Sequence, residues 1–204
     1  FTRKLIREVK PDVIISFLSY VNITSCIASF GLGIPLIVSE RSDPNRDPDR
    51  LFFRILRRVV YPWAKGYIFQ TEEAKKFFAK HIQKKGMVIQ NSLPEQLPDV
   101  NRIIIKRNIV AVGRLVAVKN YEMLIKAFSA FSKQHPEYVL EFFGDGAERN
   151  VLEEQCRKMN IYEKTIFHGN CDDVILQIRD AGMFVLTSEY EGMPNALLEA
   201  MAME

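Results

Sequence analysis

Short continuous apolar runs that alternate with longer amphipathic segments constrain this chain more than any other feature. Asp12-Val-Ile-Ile-Ser-Phe-Leu18, Pro35-Leu-Ile-Val-Ser-Glu40, residues 67–71 and Met87-Val-Ile-Gln-Asn91 read as strands. They are too short for helices and lack the strict alternation of a half-buried antiparallel edge. Helical patterns over 22–31, 49–61 and 72–83 separate them, the first closed by Gly31. The order then repeats. Strands at 109–113, 138–143, 165–168 and 183–187 alternate with helices at 121–134, 147–159 and 172–181, and a last helix starts at Pro194. Helix 121–134 turns Leu124, Ile125, Phe128 and Phe131 to one face. Strands alternating with helices mean parallel sheets. The expected fold class is therefore α/β, with two doubly wound parallel-sheet domains. The pattern breaks only around Pro94 and Pro98, so the expected division is 1–93, a linker over 94–107, and 108–204.

Composition supports a globular protein. Of 204 residues, 48% are hydrophobic and 26% charged, which excludes a disordered chain or a collagen-like repeat. No apolar run approaches the ~18 residues of a membrane span. No secretory pattern opens the sequence, and Cys26, Cys156 and Cys171 form no CxxC, so a reducing cytoplasm is the expected location. The net charge of +3 hides an asymmetry: residues 1–91 carry 16 Lys/Arg against 8 Asp/Glu, and the remainder carries 12 against 17. A basic half joined to an acidic half points to two bodies with different partners. The chain opens on Phe1, and its last helical pattern stops at Ala202-Met203-Glu204 with no stop signal; both read as an interior piece of a longer protein.

In open parallel sheets, ligands sit outside the carboxyl ends of the strands, so the loops that follow strands carry the chemistry. Strand 109–112 leads into Gly113-Arg114-Leu-Val-Ala-Val-Lys119-Asn120, two cations around a helix start. That arrangement suits a phosphate, and equally a solvated charge pair beside a loop. Strand 138–143 leads into Gly144-Asp145-Gly146, which begins like a dinucleotide fingerprint but has Arg149 where a third Gly would stand. The last strand leads into Glu191-Gly192-Met193-Pro194-Asn195, with Glu199 one turn into the helix beyond. Carboxylates there accept from sugar or ribose hydroxyls while free N–H groups of Gly192 to Asn195 bind anions; Glu191 as a cap and Glu199 as a solvated helix residue is the plainer alternative. His81, His135 and His168 show no metal-ligand spacing, so no metal and no other cofactor is expected.

Gly113-Arg114…Lys119-Asn120, Gly144-Asp-Gly-Ala-Glu148 and the pair Glu191/Glu199 with seven residues between them together resemble the retaining GT-B glycosyltransferases of family 4. The resemblance runs over nearly all of the chain. The Ser39-Glu40-Arg41 loop and the strand ending at Asn91 are similar to bacterial members that build polysaccharides or lipid-linked glycans. It implies two Rossmann-like domains, both incomplete here: residues 1–93 on the acceptor side and 108–204 binding a nucleotide-diphosphate sugar, with UDP as the favoured base. Arg114 and Lys119 would neutralise the diphosphate as it leaves. Glu199 would hold the ribose, and Glu191 the donor sugar, helped by backbone from Gly192 to Asn195. Gly144–Gly146 would line the nucleotide pocket, with His168–Asn170 near the base. Glu191, Arg114 and Lys119 are the implied catalytic residues. The family's reaction is front-face and metal-free, transferring a hexosyl or N-acetylhexosaminyl unit to a glycan or lipid-linked acceptor. The family's Gly-rich first loop would precede residue 1, so this piece alone is expected to be a poor catalyst.

Residues 41–65 hold seven Lys/Arg against three Asp/Glu. Arg50, Arg54, Arg57 and Arg58 fall at helical spacing, interleaved with Leu51, Phe52, Ile55, Leu56 and Val59. Such a helix has one basic and one apolar face. It fits peripheral contact of 46–65 with an anionic membrane at the cytoplasmic side, or a core helix with a solvated basic face. Nucleic-acid motifs are missing, so no nucleic acid is expected as a partner. A nicotinamide-dependent oxidoreductase built on Gly144–Gly146 and a non-catalytic basic membrane module are the alternatives.

Overall fold

The computed structural model describes residues 1–93 and 105–203. The chain forms two compact units, one of Phe1–Ser92 with Glu191–Met193, the other of Leu93–Tyr190 with Pro194–Glu204. Most of the linker expected over 94–107, and Glu204, lie outside the described residues.

The first unit holds a parallel sheet in sequential order: β1 (Ile14–Phe17), β2 (Leu36–Ser39), β3 (Gly66–Phe69) and β4 (Gly86–Val88). Ile15 pairs with Ile37, Ile37 with Gly66, and Ile68 with Met87. Helices α1 (Thr2–Val9), α2 (Ser19–Ser29), α3 (Leu51–Val60), α4 (Glu72–Lys76) and α5 (Lys80–Gln83) surround it. The core joins Ile23 and Cys26 of α2 to Val38, Tyr67 and Phe69 of the sheet, and to Val60, Tyr61 and Phe78. Burial pushes the Cys26 thiol up to about 12, so it serves as a packed apolar group. The single helix expected over 72–83 is broken, because Phe78 turns inward against Tyr61 and Phe69. Gln83 secures the break by donating from Nε2 to the Phe78 carbonyl at 2.6 Å. Helix α1 escapes the sequence pattern because Ile6 is its one buried residue.

The expectation for the basic helix needs correction. Arg57 of α3 is 3% exposed and points inward. Its guanidinium donates to the carbonyls of Asp47 at 2.7 Å and Pro44 at 2.8 Å, and lies over the rings of Phe77 and Phe78. Arg54 donates to the Pro48 carbonyl at 2.8 Å. Two of the four arginines therefore tie down the 44–48 loop, and Arg50 and Arg58 stay exposed. The apolar stripe Leu51, Phe52, Ile55 and Val59 faces outward instead, while Phe53, Leu56 and Val60 pack on the core. The loop leaves more backbone carbonyls than it has N–H partners, and a five-donor guanidinium answers that need.

The second unit holds β5 (Asn108–Val112), β6 (Val139–Phe143), β7 (Thr165–Gly169) and β8 (Met183–Phe184), parallel in the order β7-β6-β5-β8. Its helices are α6 (Tyr121–Phe131), α7 (Arg149–Lys158), α8 (Val174–Ile178) and α9 (Asn195–Met201). The order turns back at β5, so β6 and β8 flank it. Leu124, Ile125 and Phe128 of α6 pack on Ile109, Leu140 and Phe142, as their spacing requires.

Candidate functional site

The carboxyl ends of β5, β6 and β8 converge in the second unit. After β5 the Gly113 N–H donates to the Phe143 carbonyl at 2.9 Å, and the chain turns away at φ 148°. Leu115 is fully buried and anchors the loop: its N–H donates to Asp145 at 3.0 Å, and its carbonyl accepts from the Glu148 N–H at 2.9 Å. A 3₁₀ turn, Ala117–Lys119, follows, closed by Asn120 in the left-handed region at φ 50°. The Lys119 stem folds back over Gly113, where a Cβ would stand 3.2 Å from Lys119 Cε and 3.4 Å from Nζ. Thr187 Oγ1 donates to the Lys119 carbonyl at 2.8 Å, and the Glu189 N–H donates to Val118 at 2.9 Å. The Arg114 side chain is exposed beside this turn.

Gly144 sits at φ 134°, and a Cβ there would lie 2.8 Å from the Gly113 carbonyl carbon. The two backbones touch, so the β5 and β6 loops form one surface carrying Gly113, Lys119, Gly144, Asp145 and Gly146. Asp145 is occupied, accepting from the Gly146 N–H at 2.7 Å and pairing with Arg149 at 3.2 Å. Arg149 stands where a dinucleotide fingerprint needs its third glycine; it also pairs with Glu153 at 3.0 Å and donates to the Phe167 carbonyl at 3.1 Å. That bulky, fully engaged residue removes the basis for the nicotinamide alternative. His168 meets Glu141 at 2.7 Å and stacks on Phe143, while Asn170 is exposed. Pro194 caps α9 in an extended conformation, which puts Asn195 at the first helical position and Glu199, half-buried, in the second turn.

Glu191, Gly192 and Met193 belong to the first unit. There they meet residues the sequence did not single out for this purpose: Arg41, Gln70 and the Asn91 side chain. Asn91 Oδ1 accepts from Arg41 Nη1 at 2.8 Å and Gln70 Nε2 at 2.7 Å, and its Nδ2 donates to the Met193 carbonyl at 3.1 Å. A cavity of about 320 Å³ opens beside them, bordered by Ser42, Asp43, Gln70, Glu73 and Glu191. Glu40, also on its wall, is 1% exposed. It accepts from Tyr61 Oη and from Asn22 Nδ2 at 3.3 Å. Burial raises its carboxyl above the ordinary range, against the pull of the Tyr61 hydroxyl and of Arg57. The signal for this cluster was present only as polar residues at strand ends, Arg41 after β2 and Gln70 after β3.

Residues 95–204 match the family described as "Glycosyl transferases group 1". Among curated proteins, the chain is 31% identical over 204 residues to the Campylobacter jejuni "GalNAc-alpha-(1->4)-GalNAc-alpha-(1->3)-diNAcBac-PP-undecaprenol alpha-1,4-N-acetyl-D-galactosaminyltransferase", covering 99% of this chain and 56% of that protein. It is 26% identical to an uncharacterized glycosyltransferase of Haemophilus influenzae, covering 98% of this chain and 57% of that protein. The chain thus spans a little over half the length of these relatives. Among solved structures, Anabaena HepE in complex with UDP and glucose superposes with a TM-score of 0.80 at 17% identity, covering 98% of this chain and 59% of HepE. TarM superposes with a TM-score of 0.80 at 14% identity, covering 98% of this chain and 42% of TarM. The likeness shows a GT-B-like α/β fold. With more than half of its residues matched to that family, the chain belongs to the group 1 glycosyl transferases.

Proposed function

We propose that this chain is part of a retaining glycosyltransferase that moves a hexosyl or N-acetylhexosaminyl unit from a UDP-sugar to a glycan or lipid-linked acceptor. The observation that carries the reading is the joined β5–β6 loop surface, with Lys119 folded over Gly113 and Gly144 pressed on Gly113. Backbone bare of side chains beside a lysine and the exposed Arg114 suits a diphosphate. Positive charge there stabilises the leaving nucleotide as its negative charge grows. Glu199 takes the ribose hydroxyls and Glu191 the donor sugar hydroxyls. Residues 1–93 form the acceptor side and 108–204 the donor side. Two neighbours support the donor: HepE is described with UDP and glucose, and the pneumococcal GtfA with UDP and GlcNAc. The Campylobacter relative, named for a substrate on PP-undecaprenol, supports a lipid-linked acceptor.

Thermal unfolding with UDP, GDP, ADP and NAD tests the reading. A ligand at 100 times its Kd that binds only the folded state stabilises by about 2.7 kcal/mol. A rise with UDP above the other three is expected. A rise with NAD alone would sink the proposal.

We further propose that residues 46–65 make peripheral contact with an anionic membrane on its cytoplasmic side, and the outer face of α3 supports this reading. Leu51 is 71%, Phe52 67% and Ile55 56% exposed on one face of α3, between exposed Arg50 and Arg58. Among the described residues no helix is long and apolar enough to cross a membrane. Apolar side chains flanked by cations suit the headgroup region of an anionic bilayer. Sedimentation with phosphatidylglycerol vesicles should exceed that with phosphatidylcholine vesicles, and Phe52→Ser should abolish the difference.

A further inference from the structure

We infer that Arg41, Gln70 and Asn91 are positioning residues that hold the backbone on which Glu191 meets the donor sugar. The inference rests on the sugar contact assigned to Glu191 above.

The orientation of each side chain follows from what its neighbours can offer. The Met193 carbonyl only accepts, so the Asn91 amide turns its Nδ2 toward it, at 3.1 Å. Asn91 Oδ1 then faces the other way, toward the donor-only Arg41 guanidinium at 2.8 Å. Gln70 must present Nε2 to the same oxygen, at 2.7 Å. Its own Oε1 is thereby driven toward Gly192, lying 2.6 Å from where a Cβ on that residue would stand. Gln70 is 4% exposed, and its Oε1 has no hydrogen-bond partner among the described residues. The Arg41 carbonyl presses on the same face of Gly192. Arg41 is itself fixed, donating from Nε to Ser39 Oγ at 2.9 Å with its guanidinium over the Phe17 ring.

Gly192 is thus packed against two oxygens, and Met193 is held by Asn91. Both neighbours of the Glu191 backbone on its C-terminal side are fixed. A buried carbonyl left unpaired is costly, and native proteins keep such groups where geometry matters more than stability. Here the geometry delivered is the position of one carboxylate at the rim of the 320 Å³ cavity.

The test is titration calorimetry of this chain with UDP and with UDP-N-acetylgalactosamine, UDP-N-acetylglucosamine and UDP-glucose, beside its Glu191→Ala, Asn91→Ala and Gln70→Leu forms. Gln70→Leu preserves the volume against Gly192, so a folded variant is available should Asn91→Ala fail to fold. The best-bound UDP-sugar should bind Asn91→Ala or Gln70→Leu about tenfold more weakly, with UDP affinity unchanged. Merely structural damage would move UDP and UDP-sugar together, and that result overturns the inference. Undiminished sugar affinity in the Asn91 and Gln70 variants, with Glu191→Ala weakened, overturns the inference alone. Undiminished affinity in Glu191→Ala, or no UDP binding by the parent chain, overturns the functional reading and the inference with it.

Discussion

Gly192 lies against the carbonyl oxygen of Arg41 so closely that residue 192 has no room for a side chain. The obstructing atom is backbone two residues past the end of β2, so it cannot swing aside as a flexible side chain would. A methyl group must displace either the β2 end or the 191–193 segment.

Gly192→Ala should therefore lower stability by about 1–3 kcal/mol, the usual scale for overpacking a filled site. Denaturant unfolding of the purified chain measures it. An unchanged midpoint would show that the segment is not seated where the structure puts it.

Lys119→Ala and Glu199→Ala each remove one charged group from the proposed nucleotide surface. Each should weaken UDP binding by about 1–3 kcal/mol, the scale of a lost charge-assisted contact. Neither side chain is in the buried core, so the melting temperature without ligand should stay near that of the parent. Full retention of UDP affinity in both variants would remove the site from this surface.

Arg57 and Arg58 are adjacent in sequence and opposite in role. Arg57→Met strands the Asp47 and Pro44 carbonyls and should cost about 2–4 kcal/mol. Arg58→Met removes an exposed charge and should change stability by less than about 0.5 kcal/mol. Parallel chemical denaturation of the two variants compares them directly. Equal effects would contradict the inward orientation of Arg57.

Glu40 titrates higher folded than unfolded, because burial disfavours its charge. The folded chain then holds the proton more tightly, so this group's contribution is fully present below the unfolded carboxyl's pKa of about 4.3. It is lost as pH rises from there through the higher folded value. Glu40→Gln keeps an acceptor for Tyr61 and carries no charge. Across that window the parent should lose stability relative to Glu40→Gln as pH rises, as read by urea midpoints at successive pH values. A parent curve that rises there as steeply as in Glu40→Gln would refute the assignment.

The parallel strands of each domain could be anticipated because buried parallel strands leave compact apolar runs, and Val110, Leu140 and Phe142 are buried as those runs require. The close approach of the β5 and β6 loops was legible for a similar reason: Gly113 and Gly144 are the residue type that such backbone crowding demands. Three features were not legible. Helix α1 is strongly polar on average and buries Ile6 alone, so no run of core positions marks it. The inward turn of Arg57 depends on carbonyls ten and thirteen residues away, which no helical wheel contains. The Asn91 cluster joins residues 102 apart, beyond any local pattern.

That last separation has a consequence for synthesis on the ribosome. Strand β4 ends at Val88, and Met193 follows Asn91, which holds it, by 102 residues. At roughly 5–20 residues per second, that interval lasts some 5–20 seconds. Throughout it all four strands of the first sheet have been made, yet its Arg41, Gln70 and Asn91 groups await the stretch of chain they are shaped to receive. Completion of the earlier half is timed by translation of the later one.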